Sequence, residues 1–187
     1  MREVPFGNDG DFKRESLINR INSDLANDLG NLAQRTLSMI AKNCDGKVPS
    51  KDAQNDGDRA LLAGISDQLD DLRGFVDREA IHKFIEAIWQ KISDANGYIS
   101  TEEPWKLKKT DPARMEAVLY TTAEAIRRIA ITVQPIMPDA MSSMLDQLVV
   151  GADARDFTNI GDDAALTPGT ALPAPQGIFP RYVAPEA

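Results

Sequence analysis

The sequence predicts an all-α protein, a bundle of about five helices with an extended C-terminal tail. Three observations carry that expectation. Apolar residues recur every three or four positions over long stretches, Pro and Gly clusters separate those stretches, and no run alternates apolar with polar residues as a half-buried strand would.

The first residues are turn-rich, with Pro5, Gly7, Asn8, Asp9 and Gly10, and read as a junction segment over 1–11. Asp9 or Asp11 can cap a helix starting near Phe12. Leu17, Ile21, Leu25, Leu29, Leu32, Thr36 and Ile40 then form a core stripe that runs to about Lys42. Asn43, Asp45-Gly46 and Pro49 end it, and a polar loop covers 47–58. The spacing of Leu61, Leu62, Ile65, Leu69 and Leu72 predicts a second helix over 59–72. A third carries Phe75, Ile81, Phe84, Ile85, Ile88, Trp89 and Ile92 toward Tyr98. Pro104 interrupts the chain, because proline lacks an amide donor and restricts its predecessor. Asp111-Pro112 has the cap-then-proline pattern of a helix start, continued by Met115, Val118, Leu119, Thr122, Ile126, Ile129 and Val133. Pro135 and Pro138 close it, and a shorter helix follows over 139–148. The bundle thus spans 12–150. Gly, Ala, Asp and Pro dominate the tail, 151–187, which ends in a short apolar coda around Ile178, Phe179 and Tyr182.

Composition bounds the function. The 187 residues carry 29 acidic against 21 basic side chains, a net charge of −8, which speaks against a broad nucleic-acid-binding surface. A single Cys44 and a single His82 exclude an intrachain disulfide framework and a multi-histidine metal centre. No apolar run approaches a membrane span and no signal peptide is evident, so the expectation is a cytoplasmic protein that meets no membrane. Enzyme chemistry has little support. His82 lies on an amphipathic stretch as a surface or interhelical residue would, and the acid beside Cys44 raises a thiol pKa rather than lowering it. The pairs Asp70-Asp71, Glu102-Glu103 and Asp162-Asp163 read as solvated helix ends and loops, not metal ligands.

Two constellations stand out. Asn31 and Arg35 are four residues apart, about 6 Å along a helix, at the edge of the first core stripe. An amide and a guanidinium there can read base edges or cap a neighbouring helix. The second is Pro104-Trp105-Lys106-Leu107-Lys108-Lys109. A tryptophan directly after a corner proline falls outside a regular helix stripe. It either plugs the end of the bundle or stands out as a platform on which a base can stack.

Asn31-Leu32-Ala33-Gln34-Arg35, then Asn96-Gly97-Tyr98-Ile99 and Pro104-Trp105, resembles the anticodon-binding domain of bacterial methionyl-tRNA synthetases. The opening residues 2–12 resemble those enzymes' junction between catalytic domain and bundle. Val133-Gln134-Pro135-Ile136-Met137-Pro138 and Gly177-Ile178-Phe179-Pro180-Arg181 are similar to two later family segments. The resemblance implies a class I synthetase bundle in which Asn31 and Arg35 contact anticodon bases and Trp105 stacks under the anticodon CAU. Pro104 would hold the corner, with Lys106, Lys108 and Lys109 in support. Gly97 departs from the Arg or Lys usual in the family. The resemblance implies methionine tRNA and the synthetase's catalytic domain, packed against the tail, as partners, and a monomer. No catalytic motif of the family is present, so ATP, methionine and zinc would belong to the catalytic half, leaving no cofactor and no charging activity here. The chain would then be a cloned domain, a truncated product or a free-standing relative. Two other readings are an anticodon domain for another class I tRNA (Val, Leu, Ile or Cys) and an acidic helical scaffold that binds protein and no RNA.

Overall fold

In a computed structural model the structure describes residues 7–11 and 13–184. Its helices are α1 (Arg14–Arg20), α2 (Asn31–Asn43), α3 (Asp56–Ser66), α4 (Leu69–Asp77), α5 (Ile81–Glu102), α6 (Pro104–Thr110), α7 (Pro112–Val133) and α8 (Pro138–Gln147). Five of them (α2, α3, α5, α7 and α8) have ten or more residues, and no strand occurs among the described residues. The all-α bundle holds.

The axis of the fold is α7, in which every residue from Ala117 to Val133 is buried. Each fully buried Ile or Leu contributes roughly 1.5–3 kcal/mol, so this helix organises the core. Its start follows the expected pattern, with the Arg114 N–H donating to Asp111 Oδ1 at 3.0 Å and Pro112 in the first turn. Around it pack α2, α3, α5, α6 and α8, with Ile40, Ile65, Ile88, Ile92 and Leu145 filling the interfaces.

The first stripe departs from one regular helix. Between α1 and α2, Ile21–Gly30 is a π-helix, and the Asn31 N–H still reaches Ala26 O, five residues back. Gly30 fits this wide turn because a Cβ there would stand 2.8 Å from Leu25 O. The wider register turns the preceding residues off the core line, so Leu17 is 47% exposed rather than buried. The expected Asp9 or Asp11 cap is not formed. Lys13 occupies the N-cap with no side-chain hydrogen bond, and Phe12 lies outside the described residues.

The second expected helix is two. Asn55 and Asp58 form a reciprocal capping box that starts α3 earlier than predicted, and α3 breaks at Ser66. There Arg128 donates to Leu62 O (3.1 Å) and Ser66 Oγ (2.8 Å), satisfying the helix end. Phe75 belongs to α4, not to the helix that follows. The intervening turn is a Schellman closure with Glu79 at φ 57°, the Ala80 N–H donating to Phe75 O and the Glu79 N–H to Val76 O. Val149 at φ 57° ends α8 in the same way.

The tail is a strap rather than a free extension. Arg127 donates to the carbonyls of Asn159 (2.7 Å), Ile160 (3.1 Å) and Gly161 (3.2 Å), and Leu166 N–H donates to Glu124 Oε2 at 3.1 Å. Val48 and Thr170 pair backbones beside a single antiparallel bridge, Lys47 to Ala171. The coda then lies along the first rod, with Tyr182 N–H donating to Asn22 Oδ1 at 2.8 Å, Arg181 on Asn27, and Phe179 against Gly30. Asp162 is a solvated loop acid, as expected, and from that exposed position it also pairs with the buried Arg128.

Candidate nucleic-acid interface

The two sequence constellations meet. Arg35, half-buried on α2, places its guanidinium carbon 5.5 Å from the centre of the Trp105 ring. That is cation–π distance, worth ~0.5–1 kcal/mol at an exposed site. Asn31 is exposed one turn earlier on the same helix. Trp105 remains 43% exposed while Pro104 is buried beneath the corner. At that exposure the indole is not a core plug.

Backbone chemistry produces this presentation. Glu103 adopts φ 45°, ψ 55°, a left-handed conformation that ends α5, and Pro104 opens α6 at once in the position where its missing amide is harmless. Trp105 therefore stands in the first turn of a short helix and, as expected, off any buried helix stripe. Leu107 packs inward against the core and anchors that helix. Lys108 and Lys109 are exposed and, among the described residues, form no ion pair. Lys106 pairs with Glu103 at 2.8 Å, which tempers its charge.

Below the corner lies a network absent from the sequence reading. Arg114 donates to Glu102 Oε2 (2.7 Å) and to Asp58 Oδ1 (2.9 Å) and Oδ2, while Tyr98 OH donates to Asp58 Oδ1 at 2.6 Å. Burial pushes the Asp58 carboxyl up. The hydrogen bonds from Arg114, Tyr98 and the Asn55 N–H outweigh that push and hold it below the usual carboxylate range. Tyr98 is pushed up, first by burial and then by Asp58. Glu102, expected at a solvated helix end, is half-buried in this network. The readable signal was the Asn55-x-x-Asp58 cap spacing, but a buried acid needs its partners in view.

Cys44 is pushed up to about 11 by burial, then by Glu116 and Asp45, far from a nucleophilic thiolate. His82 is half-buried on α5, as an interhelical residue would be. Gly97 is exposed in the same helix, with nothing within 4 Å of where a Cβ would stand. Among the described residues, no cluster of three or more His, Cys, Asp or Glu could hold a metal ion, and no helix is long and apolar enough to cross a membrane.

Comparison with solved structures gives the class. The fold superimposes on apo Mycobacterium tuberculosis methionyl-tRNA synthetase with a TM-score of 0.93 and 48% identity, over 98% of this chain and 38% of that one. The same organism's enzyme in complex with methionyl-adenylate matches with a TM-score of 0.91 at 49% identity, over 96% of this chain and 36% of that one. The chain is thus a helical bundle of the aminoacyl-tRNA synthetase class. A model for the anticodon binding domain of methionyl tRNA ligase matches residues 48–186, and the chain belongs to that family. A second model, tRNA synthetases class I (M), matches residues 1–37. Methionine–tRNA ligase of Mesorhizobium japonicum is 51% identical over 183 residues, covering 98% of this chain and 36% of that protein. The Brucella suis enzyme is 52% identical, covering 98% and 35%. The chain spans about a third of the length of these relatives. Arg35 falls in the 1–37 stretch and Trp105 in the 48–186 stretch, so their contact joins the two.

Proposed function

We propose that this chain is the part of a methionine–tRNA ligase that reads the CAU anticodon of methionine tRNA. The observation that carries the reading is the Arg35–Trp105 pair, an exposed indole with a guanidinium held 5.5 Å from its ring centre. Single-stranded loop bases are recognised by stacking on such rings and by hydrogen bonds to their edges. In this reading Trp105 stacks on an anticodon base, and Asn31 and Arg35 contact base edges from one helix face. Pro104 holds the corner, while Lys106, Lys108 and Lys109 meet phosphates of the loop. The net charge of −8 is compatible, because the positive groups this reading uses, Arg35, Lys106, Lys108 and Lys109, are local to this corner.

The rest of such an enzyme would bring the catalytic domain, with ATP, methionine and any zinc, and this bundle would hold the anticodon while the acceptor end reaches it. The chain itself contributes position and discrimination. Binding of a CAU anticodon stem-loop, against one with a changed anticodon, tests the reading. Trp105→Ala should weaken CAU binding about 10- to 100-fold, the equivalent of ~1–3 kcal/mol for one stacked base, and remove the discrimination with helical content intact. Equal binding of variant and parent at matched salt would refute it.

A further inference from the structure

All five N–H donors of Arg114 are engaged. Nε and Nη2 meet Glu102 at 3.2 and 2.7 Å, Nη2 and Nη1 meet the two oxygens of Asp58, and Nη1 also reaches Ala53 O at 3.3 Å. Glu102 is the last residue of α5, and Arg114 lies in the first turn of α7. Between them the chain consists of Glu103, α6, Asp111 and the first two residues of α7, the segment that carries Trp105. The ion pair therefore closes the base of that segment. Asp58 is wholly buried and is itself held by Tyr98 and by the α3 cap, so Arg114 is anchored on three elements. Glu103 at φ 45° is a left-handed non-glycine residue, a conformation that persists only where its surroundings impose it.

We infer that Arg114 is a positioning residue for the indole platform. By clamping Glu102 to Asp58 it sets the angle at which the Pro104 corner leaves α5, and so where Trp105 stands relative to Arg35. The consequence for RNA rests on the anticodon reading above; the clamp itself does not. A flexible corner would leave the indole in place on average yet lose the pre-ordered stacking geometry, so affinity and discrimination would fall with the bundle still folded.

The test uses the 187-residue chain carrying Trp89→Phe, which leaves Trp105 as the sole indole. Glu102→Ala and Arg114→Lys should each lower the fluorescence anisotropy of Trp105 and weaken CAU stem-loop binding about five- to tenfold, with far-UV circular dichroism unchanged. On a Trp105→Ala chain, Glu102→Ala should change binding by less than about twofold, because the clamp acts through the indole. Unchanged anisotropy and affinity in Glu102→Ala would overturn the inference. So would an equal loss with and without Trp105. Should Arg114→Lys fail to fold, Glu102→Ala carries the test, since its half-buried side chain leaves Asp58 paired. If Trp105→Ala binds RNA like the parent, the anticodon reading falls, and the anisotropy of the Glu102 variant alone judges the clamp.

Discussion

Replacing Arg127 with Met should detach the strap from the bundle. Arg127 is fully buried and donates twice to Glu124, at 2.8 and 2.7 Å, and to three consecutive carbonyls at 159–161. Met keeps most of the apolar stem, so packing volume changes little and the loss is polar. Removing one partner of a buried ion pair costs about 3–5 kcal/mol. Glu124 retains Arg128 Nε at 2.8 Å and the Leu166 N–H, which places the cost toward the lower end for the carboxylate. The three carbonyls add to it while they stay dry, at roughly 1–3 kcal/mol for each left unsatisfied. That penalty is relieved if the strap lifts and water enters, so the net expectation stays at about 3–5 kcal/mol. For a chain of this size the melting temperature should fall by about 6–20 °C. Urea unfolding followed by circular dichroism measures the loss, and limited proteolysis shows where the chain opens. Cleavage should appear within 151–175 before the bundle unfolds. Arg127→Lys should recover only part of the loss, because an ammonium cannot span both the carboxylate and the carbonyl row. A loss below about 1 kcal/mol with the strap as protected as in the parent would refute the reasoning.

Two further outcomes follow from the same structure. Gly97→Ala should raise stability by about 1 kcal/mol in urea unfolding, since an open, exposed mid-helix site gains propensity without a clash; an unchanged or lowered midpoint would contradict it. Asp58 has a folded pKa below its unfolded value, so between the two the unfolded chain binds more protons and stability rises with pH. Its contribution is therefore full above about pH 5 and fades as pH falls below ~4 toward the folded value. Asp58→Asn should be less stable than the parent at neutral pH and show a flatter acid limb in stability measured from pH 2 to 6. A parallel acid limb would exclude Asp58 as a source of the slope.

Periodicity and helix punctuation determined much of this protein by themselves. The stripes from Leu29 to Ile40, Phe84 to Ile92 and Met115 to Val133 fall on core faces because helical spacing maps directly onto burial. Asp111-Pro112 starts a helix because proline's missing amide has only one harmless place there. The site residue types were visible too, as an amide and an arginine one turn apart and an indole after a corner proline. Only the tertiary structure decided the rest. Glu79, Glu103 and Val149 end helices in left-handed conformations normally given to glycine, so no residue type announced those breaks. The π-helix at Ile21–Gly30 shifted Leu17 out of the core line by a change of register that no spacing rule foresees. That Trp105 is no core plug shows only in its exposure, and its nearness to Arg35 links residues 70 apart in the chain. Glu124, Arg127 and Arg128 look like surface charges in sequence. Burial at the centre is possible for them because a polar strap, itself short of regular hydrogen bonds, supplies the carbonyls, the amide and the carboxylate they require. Such reciprocal satisfaction belongs to two distant segments at once, and neither segment encodes it alone.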